Sequence, residues 1–97
     1  MLMPATDVQI VLPQILAEMT GGRRVFAASG QTPKDALLDL CKKHPHLQIH
    51  FFDEAGRARR HLICIVGEDY VRAPDLATHL LKANDEVRII NALAGGL

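Results

Sequence analysis

An α+β roll, one helix lying across one face of a sheet of about five strands, is the fold class this sequence predicts. Three observations carry that expectation. Two β-type segments flank Thr20-Gly21-Gly22, one amphipathic stretch with clear start and stop signals occupies residues 32–45, and further β-type runs follow at 61–66 and 86–90. Strands, then one helix, then strands again leave the helix to cover one sheet face. The chain has 97 residues, enough for one domain and one small core.

The elements follow in order. Val8-Gln9-Ile10-Val11-Leu12 is a β-type run ended by Pro13. A segment carrying Ile15, Leu16 and Met19 leads to Gly21-Gly22, where paired glycines permit a tight return. Arg24-Val25-Phe26-Ala27-Ala28 then reads as the second strand of a hairpin with a long connection. Thr32 can cap a helix, Pro33 suits its first position, and Asp35 lies in its first turn. Ala36, Leu37, Leu40 and Cys41 form one apolar stripe, and His44-Pro45 ends the helix. Ile49, Phe51 and Phe52 are apolar, and Asp53-Glu54-Ala55-Gly56-Arg57 is a polar turn. His61–Val66 reads as a strand apolar on both faces, Leu62, Cys64 and Val66 on one side, Ile63 and Ile65 on the other. After a turn at Gly67-Glu68-Asp69, Tyr70-Val71-Arg72 fits a short edge strand. A second turn at Asn84-Asp85 precedes the last strand, Glu86–Ile90. The helix stripe is expected to face Val8, Ile10, Leu62, Cys64, Val66, Val87 and Ile89.

Composition excludes several classes of function. Lys plus Arg and Asp plus Glu each number 11, so no basic excess exists to bind nucleic acid or an anionic membrane. Apolar runs such as Leu62–Val66 fall far short of the ~20 residues a membrane span needs, and Met1-Leu2-Met3-Pro4 does not resemble a secretion signal. The chain reads as cytoplasmic. Cys41 and Cys64 both sit in apolar segments and read as buried thiols in a reducing compartment, too few for a cluster or an all-cysteine zinc site. If residues 47–52 were extended, His46, Gln48 and His50 would share a face with His44 nearby. No signature spacing completes a metal set, and the expectation is no metal. Asp53-Glu54 and Glu68-Asp69 read as solvated turn acids, and Arg57, Arg59 and Arg60 as a solvated basic hairpin that could meet an acidic partner. Ser29 shows no His/Asp partnership, so no catalytic residue is expected.

The chain ends Asn91-Ala92-Leu93-Ala94-Gly95-Gly96-Leu97, a tail (residues 92–97) with little to pack beyond a domain at 1–91. A strand running straight into Ala-Gly-Gly resembles the ubiquitin-like β-grasp sulfur carriers of the thiamin and molybdopterin type. Asn84-Asp85-Glu86-Val87-Arg88-Ile89 is similar to that family's Asp-Gly-Asp-x-Val-x-Ile ending, and Ala92-Leu93-Ala94-Gly95-Gly96 to its Ala-Val-Ala-Gly-Gly terminus. Gly67–Arg72 resembles the turn and short strand after its central strand. Leu12-Pro13-x-Ile15-Leu16 with Thr20-Gly21-Gly22, and Ala28-Ser29-Gly30-x-Thr32, resemble its cysteine-biosynthesis branch. Asn84 and Leu97 depart from the pattern, the first trivially, the second at the reacting end.

The resemblance implies a β-grasp with a mixed sheet and a co-substrate rather than an enzyme. Gly96 would be adenylated by an activating enzyme using ATP and converted to a thiocarboxylate, with Gly95 giving backbone access. Implied partners are that adenylating enzyme, a sulfur-accepting enzyme such as a cysteine synthase-like protein, and a zinc-dependent peptidase that removes Leu97. No cofactor is bound by the carrier itself. By strand alternation Ile63, Ile65 and Ile90 share the face opposite the helix, and Leu93 extends it, a docking patch unless residues 47–60 cover it. Two alternatives stay open: a ubiquitin-like modifier conjugated through Gly96, and a β-grasp interaction module whose tail is incidental.

Overall fold

The computed structural model describes residues 6–90. Among them five strands form one sheet: β1 (Asp7–Val11), β2 (Val25–Ser29), β3 (Ile63–Val66), β4 (Asp69–Arg72) and β5 (Glu86–Ile90), in spatial order β2-β1-β5-β3-β4. β1 and β5 lie parallel at the centre, and the other neighbours are antiparallel. The mixed sheet and its single long helix, α2 (Pro33–Lys43), are as the sequence predicts.

The capping signals of α2 act as expected. The Asp35 amide donates to Thr32 Oγ1 at 3.2 Å, Pro33 opens the helix, and Lys42 and Lys43 complement its last turn. Ala36, Leu37, Leu40 and Cys41 are buried against the sheet face formed by Val8, Ile10, Phe26, Cys64, Val66, Val87 and Ile89. Asp39, on the flank of α2, accepts from the Ser29 amide at 3.0 Å, which satisfies one outward donor of the edge strand β2.

The β1–β2 connection contains a short helix, α1 (Gln14–Glu18), which the sequence reading leaves unassigned. Leu16 and Ala17 are buried, and the return is made by Gly21 and Gly22 at φ 72° and 82°. Asn84 adopts φ 69° two residues before β5, a left-handed conformation that asparagine tolerates and most residues do not. Its place at a turn position where the resembled pattern has Asp or Gly is thereby accounted for.

One expectation is corrected. The strand predicted over His61–Val66 begins only at Ile63, because the Leu62 amide turns back to the Arg59 carbonyl at 3.0 Å. Its alternation survives, with Leu62, Cys64 and Val66 buried and Ile63 and Ile65 half-buried. Residues 47–52, where extension would have put His46, Gln48 and His50 on one face, are helical instead: Pro45–Leu47 is a 3-10 turn leading into α3 (Gln48–Phe51). Leu47 and Phe51, one turn apart, enter the core, and Phe52 joins them as the chain becomes extended. Residues 73–85 cross over near the start of α2, where Lys34 donates to the Leu76 carbonyl and Leu81 to that of Gln31. Leu76 and Leu81 are buried there.

Candidate functional site

Leu93, Gly95, Gly96 and Leu97 lie outside the described residues, so the structure speaks to the platform from which the tail departs. β5 ends at Ile90, paired with Ile63 of β3, which in turn pairs with Arg72 of β4. Ile63, Ile65 and Ile90 are half-buried on the sheet face away from α2, as strand alternation requires. Tyr70 stands beside Ile65 in register and is 67% exposed. Arg88 occupies the other side of Ile65, and beyond it come Val11 of β1 and exposed Val25 of β2. Residues 47–60 do not cover this face: Leu47, Phe51 and Phe52 point into the core with the α2 stripe. What remains is an apolar strip between arginines. The sequence reading finds its isoleucines but not Tyr70, Val25 or the flanking Arg72 and Arg88, because those depend on strand order.

Among the described residues the other candidates form no reactive constellation. His44 and His46 have ring centroids 6.0 Å apart, and His46 Nε2 lies 3.1 Å from Thr20 Oγ1. His50 Nε2 is buried without a hydrogen-bond partner; burial, then Arg59 and His46, hold its imidazole below the usual range and hence neutral. Among the described residues no three His, Cys, Asp or Glu side chains are placed to hold a metal ion. Both cysteines are free thiols, and burial pushes Cys41 up to about 11 and Cys64 up to about 12, far from a usable thiolate. Ser29 donates to Asp7 Oδ1 at 3.0 Å rather than to a base. Asp53 accepts from the Arg57 and Ala55 amides, each at 2.9 Å, and those bonds hold its carboxyl below the ordinary range. Glu54, Glu68 and Asp69 are exposed, consistent with solvated turn acids. No helix among the described residues is long and apolar enough to cross a membrane.

Residues 10–96 match the ThiS family, a span that starts in β1 and ends on the second glycine of the tail. No curated protein matches the sequence. A chain of the Amycolatopsis orientalis BexX/CysO complex superposes with a TM-score of 0.76 at 27% identity, over 92% of this chain and 99% of that one. Mycobacterium tuberculosis CysO, an antigen, gives 0.74 and 26%, over 89% and 99%. The small archaeal modifier protein SAMP1 of Methanosarcina acetivorans gives 0.74 and 26%, over 90% and 93%. The strand order, the single long helix and the span of the family match agree. The chain belongs to the ThiS family, with the β-grasp fold shared by the CysO and SAMP1 carriers and modifiers.

Proposed function

We propose that this protein carries sulfur as a thiocarboxylate on Gly96 and acts as a co-substrate rather than a catalyst. The observation that carries the reading is the family match running from β1 through the tail and closing on Gly96. In the first step a Gly96 carboxylate oxygen attacks the α-phosphorus of ATP on a partner enzyme, and pyrophosphate leaves. In the second a sulfur nucleophile attacks the acyl carbon, AMP leaves, and the carbonyl carries sulfur in place of one oxygen. Glycines at 95 and 96 let the backbone enter a narrow site where side chains would block the approach of either nucleophile. Ile63, Ile65 and Ile90, extended by Leu93, form the docking patch for the adenylating enzyme. The likeness to CysO favours a cysteine synthase-like sulfur acceptor and delivery into cysteine.

Chain beyond Gly96, beginning with Leu97, must leave before activation, because an isobutyl group on the reacting residue occupies the space the family gives to hydrogen. A zinc-dependent peptidase using metal-activated water suits that cut. The test compares the full chain with a form ending at Gly96, each incubated with the adenylating enzyme, ATP and sulfide. The truncated form is expected to gain the mass of one oxygen-to-sulfur exchange at a rate at least about tenfold higher. Equal rates with Leu97 retained in the product overturn the maturation step, and no exchange in either form overturns the carrier reading. The likeness to SAMP1 supports a second reading, conjugation through Gly96 to lysines, which the same mass spectra would register as an isopeptide-linked product.

A further inference from the structure

The chain has no net charge, yet its charges are not mixed. β1 and β5 run parallel, so the C-terminal ends of both lie at the same end of the sheet as the starts of β2 and β3 and the end of β4. That end carries exposed Arg23 and Arg24 before β2, Arg59 and Arg60 before β3, and Arg72 closing β4, with Arg88 on the adjoining face. Lys42 lies in the basic last turn of α2, after which His46 lies against Thr20, while Lys43 lines a cleft with Asp7 and Asp39. The opposite end carries Asp7, Asp35, Glu68, Asp69, Asp85 and Glu86. Lys34 and Lys82 are exceptions there, as Glu18, Asp53 and Glu54 are among the arginines.

Several of the arginines are fixed without being neutralised. Arg59 Nε donates to the Ile49 carbonyl at 2.6 Å, Arg24 Nε to that of Leu12 at 3.1 Å, and Arg23 Nε to that of Val25 at 3.1 Å. The Arg23 guanidinium also sits 4.8 Å from the centre of the Phe26 ring. A carbonyl orients a guanidinium but leaves its charge in place. Among the described residues only Arg57 and Arg88 reach a carboxylate, Asp53 and Glu86 respectively. Arg72 stands in register with Ile63, and among the described residues neither it nor exposed Arg60 reaches a carboxylate.

We propose that this positive end is a steering surface for an acidic protein face surrounding the mouth of the site that receives the tail. The inference rests on the carrier reading and adds the partner's chemistry to it. A neutral molecule with segregated charge feels a torque rather than a net pull, so an acidic surface turns it until the end from which residue 91 continues points inward. Apolar Ile63, Ile65 and Tyr70 between Arg72 and Arg88 suit a protein surface, and the acidic opposite end and absent net charge disfavour nucleic acid.

The experiment has two arms. In the first, association of the form ending at Gly96 with the adenylating enzyme is followed by stopped flow from 0.05 to 0.5 M salt. Arg60→Glu with Arg72→Glu is expected to lower the association rate constant about tenfold at low salt and to flatten its salt dependence. Dissociation changes less than about threefold, and adenylation at saturating enzyme is retained. Glu68→Lys with Asp69→Lys at the other end leaves association within about threefold. Equal association rates for both variants overturn the proposal while the retained adenylation upholds the carrier reading. In the second arm, amide shifts are mapped with poly-L-glutamate and with poly-U RNA, which decides the proposal even if the chain is never adenylated. Poly-glutamate shifts concentrated at 59–63, 72 and 88–90 support it. Shifts spread over both ends, or RNA binding more than about tenfold tighter at 0.15 M salt, overturn the assignment to an acidic protein.

Discussion

A methyl group at Gly30 would lie 2.5 Å from the Ala36 amide nitrogen and 2.8 Å from the Asp35 carbonyl carbon, both backbone atoms of α2 that cannot swing aside. The position admits only glycine because β2 hands the chain to α2 within three residues, which seats the first helical turn against it. Gly30→Ala is expected to cost about 1–3 kcal/mol, read as a drop in denaturation midpoint at constant slope. Destabilisation below about 0.5 kcal/mol would show that this approach is looser than described. The sequence reading reaches Gly30 only as part of a family pattern; the reason for it is three-dimensional. Cys41 and Cys64 are legible by contrast, since a cysteine within an apolar run is usually buried. Their folded-state thiols titrate above the ordinary 9.0, so the native state holds its protons more tightly than the unfolded chain. The stability this gives is complete below pH 9 and is lost as pH rises toward 11–12. Thiol labelling of the folded protein at pH 8 should therefore be slow at both positions and become fast in denaturant. Rapid labelling of Cys64 in the native state would contradict its burial.

Among the elements, α2 is readable because its signals are local: a capping threonine, a first-turn proline and acid, one apolar stripe and a terminating His-Pro. Leu40, 1% exposed, sits at the middle of that stripe, and Leu40→Ala should cost about 2–5 kcal/mol by opening a cavity under the helix. A loss under about 0.5 kcal/mol in a two-state denaturant titration would displace Leu40 from the core. Short elements are less readable. α1 and α3 are a turn or so each, too brief for a 3.6-residue period to declare itself. At 47–52 Leu47, Ile49, Phe51 and Phe52 fit alternation as well as a helical turn. The structure separates them by burial, with Ile49 66% exposed while Phe51 and Phe52 are enclosed. That choice was settled by the core's need for two phenylalanines, a tertiary demand no local pattern records.

At the scale of the whole molecule, the last strand in sequence is the central strand in space, parallel to the first. Periodicity locates strands without ordering them, and the resemblance of the tail and its preceding turn implies only a β-grasp with a mixed sheet. The same order decides the site. Putting β5 between β1 and β3 sets Ile90 beside Ile63 at the point where the tail begins, and leaves these isoleucines half-exposed on the outer face while α2 covers the inner one. Half-buried isoleucines facing solvent contribute little to folding but much to association once a partner removes their remaining exposure. Ile63→Asp is therefore expected to raise the KM for adenylation at least about tenfold, the equivalent of about 1.4 kcal/mol of docking energy, with kcat changed little because the tail chemistry is untouched. A direct effect on folding should stay near 1 kcal/mol, since the side chain is not enclosed, and the shift in denaturation midpoint measures it separately. The buried neighbour on the same strand supplies the contrast: Cys64→Asp, aimed into the core, should abolish folding rather than docking. An Ile63→Asp protein that folds normally and keeps the wild-type KM would remove this face from the interface and leave the arginine-lined end as the contact with the partner.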